Sequence, residues 1–325
     1  MKNNRKHRLR IGFVMDPIRK ILYREDTSVS IMEEAGNRGH RIYYIEPKNI
    51  FFKAGRLLAL ANRVRAGLKN GIHVLSEETL DLRSLDIVFN RKDPPFDLSY
   101  LYLTQILELL EPDVFVINSP RGVRKANEKL YILSFPQWIP PTIVSNNPVQ
   151  IARFQREKKI DLILKPLDQK GGTGIALLPY GASDKKRTIG KMTRRGSRWI
   201  MAQKYLAQNS THGDKRILLL NGKVIGAFQR IPKKGEFRSN LSLGGTALPA
   251  RLTQREKRLI ASIRPKLLKD GLYFVGLDVV AGYLIEINVT SPAGIAELIE
   301  LEGRHPETSV VNFLEAQVSR RSLQR

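Results

Sequence analysis

Short apolar runs alternate with helix-spaced segments along the first third of the chain. Runs at 9–15, 41–45, 85–89 and 113–117 have strand length and strand composition. Between them, 28–37 and 99–111 carry helical spacing and stop at Gly39 and Pro112. This alternation predicts a parallel α/β domain over residues 1–122. Residues 123–200 read as a smaller unit, with helices over 122–134 and 148–158. Two strands follow there, 161–166 and 174–178, joined by a glycine-rich loop. Over 201–325 the pattern turns antiparallel: 217–220 and 224–228 flank Asn221-Gly222, a type I′ hairpin signal, and a long helix spans 253–269. Two further helices close the chain.

The stretch 276–292 predicts a second hairpin whose apolar run carries Asp278, Glu286 and Asn288. Residues two apart on a strand share a face, so Glu286 and Asn288 point the same way. Two carboxylates and an amide oxygen suit a hard cation beside phosphates, although an edge hairpin with a wet polar face would also carry such residues. A two-residue turn at Ala281-Gly282 would pair 280 with 283 and separate Asp278 from Glu286. A three-residue turn, 281–283, pairs 278 with 286 and 276 with 288. The cation reading therefore predicts the odd-length turn, with Gly282 at the positive φ such loops require.

Composition narrows the chemistry. A chain of 325 residues, 42% hydrophobic and 26% charged, is long enough for two or three globular domains. No apolar run approaches the roughly 18 residues of a membrane span. The basic start (Lys2, Arg5, Lys6, Arg8, Arg10) runs directly into a strand pattern, so no signal peptide is expected. With no cysteine, disulfides, thiolate metal sites and thiol nucleophiles are excluded. The five histidines are scattered, without an HExxH pair. The net charge of +24 raises nucleic-acid binding, yet the basic residues are spread and form no basic zipper, RNP-type cluster or zinc finger. That spread argues against a dedicated nucleic-acid binder and is compatible with anionic small substrates.

Carboxylates, Lys, Arg and backbone amides remain. The loop 168–174 contains Gly171 and Gly172, whose amides can approach phosphate oxygens without an intervening Cβ. It is neither a Walker loop nor a GxGxxG fingerprint. Lys165 interrupts the apolar run 162–164, which makes sense if it reaches a phosphate. Lys129 belongs to a predicted helix with Arg121, Arg124 and Lys125, readable as a solvated face or as a phosphate contact. Gln203, Lys204, Tyr205 and Leu206 end a strand whose amides can meet an adenine edge. Asp214 starts the next one, on which Arg216 can stabilise developing charge.

Several strings together resemble the prokaryotic glutathione synthetase family: Met15-Asp16-Pro17-Ile18, Arg91-Lys92-Asp93-Pro94-Pro95-Phe96-Asp97, Asn127-Glu128-Lys129, Gly213-Asp214-Lys215-Arg216 and Glu286-Ile287-Asn288-Val289-Thr290-Ser291-Pro292. The match runs in order from about 9 to 318. It implies an ATP-grasp fold: a Rossmann-like N-terminal domain (1–122), a lid (123–200) and a C-terminal subdomain with the metal site (201–325). The implied activity is a cytoplasmic ligase, often tetrameric, in which ATP activates the cysteinyl carboxylate of γ-glutamylcysteine and glycine attacks the acyl phosphate. By motif, ATP would be held by Lys129, Lys165, Gly171, Gly172, 203–206 and Asp214. Asp278, Glu286 and Asn288 would ligate magnesium, or manganese in its place. Arg216 would act at the reacting carboxylate, with Arg230, Arg238, Asn240, Ser291 and Gly294 on the peptide substrate.

Three positions depart from the pattern. Gln169-Lys170 precedes Gly171, Thr246 stands where an arginine is expected after Gly244-Gly245, and Ala296 replaces another near Ile295. An acidic dipeptide needs paired cations, so these departures point to an altered acceptor pocket and keep open a ligase for another carboxylate and amine.

Overall fold

The computed structural model describes residues 8–323 apart from 170, 209–211 and 237; Lys170 and the basic Lys2, Arg5 and Lys6 lie outside the described residues. The four strands expected first are Arg10–Val14, Arg41–Ile45, Ile87–Asn90 and Phe115–Ile117, all mutually parallel. Thr27–Asn37 follows the first strand, capped where Asp26 accepts the amides of Ser28 and Val29 at 2.7 and 2.9 Å.

The sheet is mixed, not wholly parallel. Ile50–Lys53, Arg56–Gly67 and Gly71–Asp81 extend one edge with antiparallel pairings. In Arg56–Gly67 the buried Leu57, Ala59 and Ala61 follow the two-residue period of a strand, a signal that the helix–strand alternation passes over.

A four-stranded antiparallel sheet forms the smaller unit, in the order Ala176–Leu178, Leu162–Pro166, Ile200–Lys204, Thr142–Ser145. Pro148–Lys158 and Lys185–Met192 cover it around a separate core of Ile151, Leu162, Leu164, Leu178, Ile189 and Ile200. The third sheet is antiparallel: Thr246–Pro249, Lys223–Ile231, Asp214–Leu220, Phe274–Val280, Tyr283–Asn288. Asn221 and Gly222 both take positive φ, as a type I′ turn requires.

The two faces of this third sheet have different tasks. Ile217, Leu219, Val275, Leu277, Val279 and Ile287 pack beneath Gln254–Lys269, a helix started by a Thr253/Glu256 capping box. Leu218, Leu220, Phe228 and Phe274 face a core shared with the first sheet and the closing helices Ile295–Glu302 and Pro306–Ser322. Strand period assigns Asp214, Arg216, Arg230 and Asp278 to that second side.

The hairpin departs from its expected form. Its turn has two residues, Ala281 (φ 48°) and Gly282 (φ 75°), with Val280 opposite Tyr283 and Val279 opposite Leu284. A β-bulge at Ile285 then restores Asp278 opposite Glu286 and Gly276 opposite Asn288. The expected pairing holds, and the odd residue is in the strand, not in the turn.

The helix expected over 122–134 is also broken. Pro120–Lys125 is helical, but Asn127 Oδ1 accepts the amides of Lys129 and Leu130, both at 3.1 Å, and this local bonding displaces the helix. Lys129 therefore stands in a turn.

Candidate active site

A cavity of about 470 Å³ opens between the four-stranded and five-stranded sheets. Lys165 and Gln203 line it from the first sheet; Asp214, Arg216, Arg230, Asp278, Glu286 and Asn288 line it from the second. Lys129, Gly171, Gly172, Lys204, Tyr205, Leu206, Arg238, Asn240 and Ser291 complete the sequence-chosen residues on its wall. Gly294 stands just behind: its amide donates to Thr27 Oγ1 at 3.1 Å.

At one end, Lys165 Nζ donates to Gln203 Oε1 at 2.9 Å, and Gln203 Nε2 donates to Thr142 Oγ1 at 2.9 Å. Burial pushes the Lys165 ammonium down to about 8, against the pull of Glu286, while neighbouring Lys129 lowers it further. Lys129 Nζ reaches Glu286 Oε1 at 3.2 Å and donates to the Gln169 carbonyl at 2.6 Å. Arg238 Nη1 donates to the Gly172 carbonyl at 3.2 Å, which ties the glycine-rich loop to the opposite wall.

At the other end two carboxylates share two guanidinium groups. Arg230 binds Asp214 through two bonds of 2.6 and 2.8 Å and reaches Asp278 Oδ2 at 3.0 Å. Arg216 Nε lies 2.8 Å from Asp278 Oδ1, but the N–H is not aimed at it, so that buried oxygen has no hydrogen-bond partner. Burial works to raise the Asp278 pKa, yet Arg216 and Arg230 together hold it below the usual range. Asp214 is pushed up by burial, against the pull of Arg230.

Arg216 owes its place to a missing side chain. A Cβ on Gly276 would stand 2.9 Å from Arg216 Nη1 and 3.3 Å from Pro292 Cβ.

Glu128 also lines the cavity and has no role in the residue-level reading. Its carboxylate accepts the amides of Val289 and Thr290 at 3.0 and 3.2 Å and the Thr290 hydroxyl at 2.8 Å. Burial, and then the charge of Glu286, raise its pKa. Its position beside Lys129 in the Asn-Glu-Lys string was the available signal. Arg91 was likewise unassigned: buried between the Phe89 and Phe274 rings, it donates to Ser28 Oγ at 2.9 Å and to the Pro292 carbonyl at 3.0 Å.

The arrangement offers cations for phosphates at one end and carboxylates paired with guanidinium groups at the other. Family models for the prokaryotic glutathione synthetase N-terminal domain and ATP-grasp domain match residues 9–124 and 128–303. The chain belongs to the prokaryotic glutathione synthetase family. It is similar to the glutathione synthetase of Synechocystis sp., 40% identical over 321 residues, covering 95% of this chain and 100% of that one. Similarity to the enzyme of Coxiella burnetii is 38% over 294 residues, covering 89% and 91%. Two solved structures share the fold at 14% identity: a D-cycloserine synthetase (TM-score 0.64, covering 96% of this chain and 99% of that one) and a RiPP-associated ATP-grasp ligase from Chryseobacterium gregarium (0.65, covering 95% and 97%). The fold is ATP-grasp, preceded by the family's N-terminal domain.

The two departures from the family's arginines lie off the cavity wall. Thr246 is exposed and pairs with Ile231 on the edge strand, while Ala296 sits in the first turn of Ile295–Glu302. The wall itself carries Lys129, Lys165, Lys204, Arg216, Arg230 and Arg238. Among the described residues, no helix is long and apolar enough to cross a membrane.

Proposed function

We propose that the protein is an ATP-dependent ligase that joins γ-glutamylcysteine to glycine, giving glutathione, ADP and phosphate. The observation that carries this reading is the hairpin register. It sets Asp278, Glu286 and Asn288 on one wall with Arg216, facing Lys129 and Lys165. Family membership over nearly the whole chain supports it.

In this reading Gln203 to Leu206 take the adenine, while Lys129, Lys165 and the amides of Gly171 and Gly172 hold the phosphates. Asp278, Glu286 and Asn288 fit a hard cation by their donor set, two carboxylates and an amide oxygen on one wall, with the carboxylates paired to Arg216, Arg230 and Lys129. Magnesium is the proposed ion, with manganese the alternative; when bound it neutralises charge on phosphate oxygens.

The cysteinyl carboxylate attacks the γ-phosphorus, and the bond to the bridging oxygen breaks to release ADP. The glycine amine then attacks the acyl carbon, loses its proton and expels phosphate. Arg216 compensates the charge gathering on the reacting carboxylate, and Arg230 holds Asp214 and Asp278 in place. Arg238, Asn240 and Ser291, on the cavity wall, serve the peptide substrate, whereas Gly294 lies off the wall with its amide held by Thr27. No protein nucleophile is needed, in keeping with a chain without cysteine. The same reading places the enzyme in the cytoplasm as a homotetramer, a state that light scattering on the purified protein would measure.

ADP release with γ-glutamylcysteine and glycine tests the assignment against a panel of other dipeptides and amines. Turnover confined to other pairs overturns the glutathione reading and leaves the ligase class standing. Thr246 and Ala296 depart from the family pattern, but neither lines the cavity, whose wall keeps Arg216, Arg230 and Arg238.

A further inference from the structure

The high net charge is not evenly distributed in the fold. Residues 142–204 hold fourteen Lys and Arg against four Asp and Glu, whereas the other 262 residues hold 41 against 27. We propose that the outer face of this lid binds single-stranded nucleic acid.

The helix Lys185–Met192 buries only Ile189. Its opposite side shows Arg187 and Lys191, with exposed Lys186 on the flank and Gly190 between them, which has nothing within 4 Å of where a Cβ would stand. Basic residues at a helix end usually complement the dipole at its C-terminus, and Lys191 does so. Lys185, Lys186 and Arg187 occupy the first turn instead, where the dipole opposes them; Asp184 at the N-cap is the one acid beside them, and Lys185 lies over the Tyr180 ring. Lys186 and Arg187 are exposed and add positive charge to the outer face of the lid.

The next turn continues the surface. Arg194, Arg195 and Gly196 take φ of 47°, 56° and 102°, so two exposed arginines sit in the left-handed region. That conformation is strained for a residue with a Cβ. It is held from within: Asn146 Nδ2 donates to the Gly196 carbonyl at 2.9 Å, and the Arg198 amide to the Thr193 carbonyl at 2.9 Å. Arg198 pairs at the surface with Asp168, whereas Trp199, close in sequence to Arg194 and Arg195, is 56% exposed.

A row of cations with a neighbouring exposed indole suits a phosphate backbone whose bases stack on the ring. An anionic membrane fits less well, because the apolar side of the helix is already buried. None of Lys186, Arg187, Lys191, Arg194, Arg195 or Trp199 lines the ligase cavity, so this surface is separate from the proposed catalysis.

Fluorescence anisotropy of a labelled oligothymidylate of about twenty nucleotides tests this, titrated from about 50 mM salt upward. Five phosphate contacts predict a log–log salt slope of about −3.5, and Arg194→Gln with Arg195→Gln should reduce its size by about 1.4. Trp199→Ala should weaken binding about tenfold without changing the slope. ADP release by both variants checks that the fold is intact. No binding at about 50 mM salt, or undiminished binding by the double arginine variant, overturns the proposal. So does equal binding by inorganic polyphosphate or anionic vesicles together with indifference to Trp199→Ala.

Discussion

Asp278 and Glu286 stand directly opposite each other although only two residues, Ala281 and Gly282, turn the chain between their strands. Strict pairing from that turn would set Asp278 against Ile285. The bulge supplies the missing residue, and both carboxylates reach one wall. Bulges recur where a side chain must be re-aimed, and here the re-aimed residues are the proposed cation ligands.

Glu286→Gln should therefore reduce metal-dependent turnover on the order of 100-fold while leaving the fold in place, since Glu286 is only half-buried. ADP release across a magnesium titration, beside a circular dichroism melt, measures both. Unchanged turnover would remove Glu286 from the cation site.

Lys165 makes the pH dependence specific. Its ammonium titrates at about 8 in the folded protein against 10.5 in the open chain. Between those values the unfolded state binds more protons, so stability rises as pH climbs from about 8 to 10.5. Lys165→Met should abolish that rise in nucleotide-free melts. Nucleotide phosphates favour the charged amine, so binding near pH 8 should take up protons in the wild type and fewer in the variant. Calorimetry in buffers of different ionisation enthalpy reads this.

Gly276→Ala places a methyl group 2.9 Å from Arg216 Nη1 and should push the guanidinium aside. Since the nucleotide end is untouched, kcat should fall on the order of 100-fold with the KM for ATP nearly unchanged. An equal rise in KM for ATP would show that Arg216 serves binding instead.

Arg91→Met should leave the melting temperature level or higher, because a guanidinium whose burial outweighs the attraction of Asp26 and Asp93, and which forms no ion pair among the described residues, is replaced by an apolar chain of similar length. Loss of the bond to the Pro292 carbonyl loosens the loop that carries Ser291 and Ala293 along the cavity. The value of kcat/KM for the peptide substrate should fall about tenfold. A lower melting temperature with unchanged kcat/KM would make Arg91 purely structural.

Much of this was readable from one dimension. Periodicity located the four parallel strands, the Asn221-Gly222 turn and the capped helix Gln254–Lys269, because each rests on local rules of spacing, φ and end-capping. Lys165 was conspicuous as a charge in an apolar strand, and Asp278, Glu286 and Asn288 as oxygen ligands in an apolar hairpin. Other features rest on contacts between distant segments, which local pattern does not contain. Glu128 acquires its task only when residues 289 and 290 arrive beside it, and Arg91 only when Pro292 does. The break at Asn127 is a competition between a side-chain cap and helix continuation that composition leaves undecided. The bulge at Ile285 belongs to the same kind: turn and strand were both free to absorb one residue, and the choice fell to the strand once Ala281 and Gly282 had closed a two-residue turn.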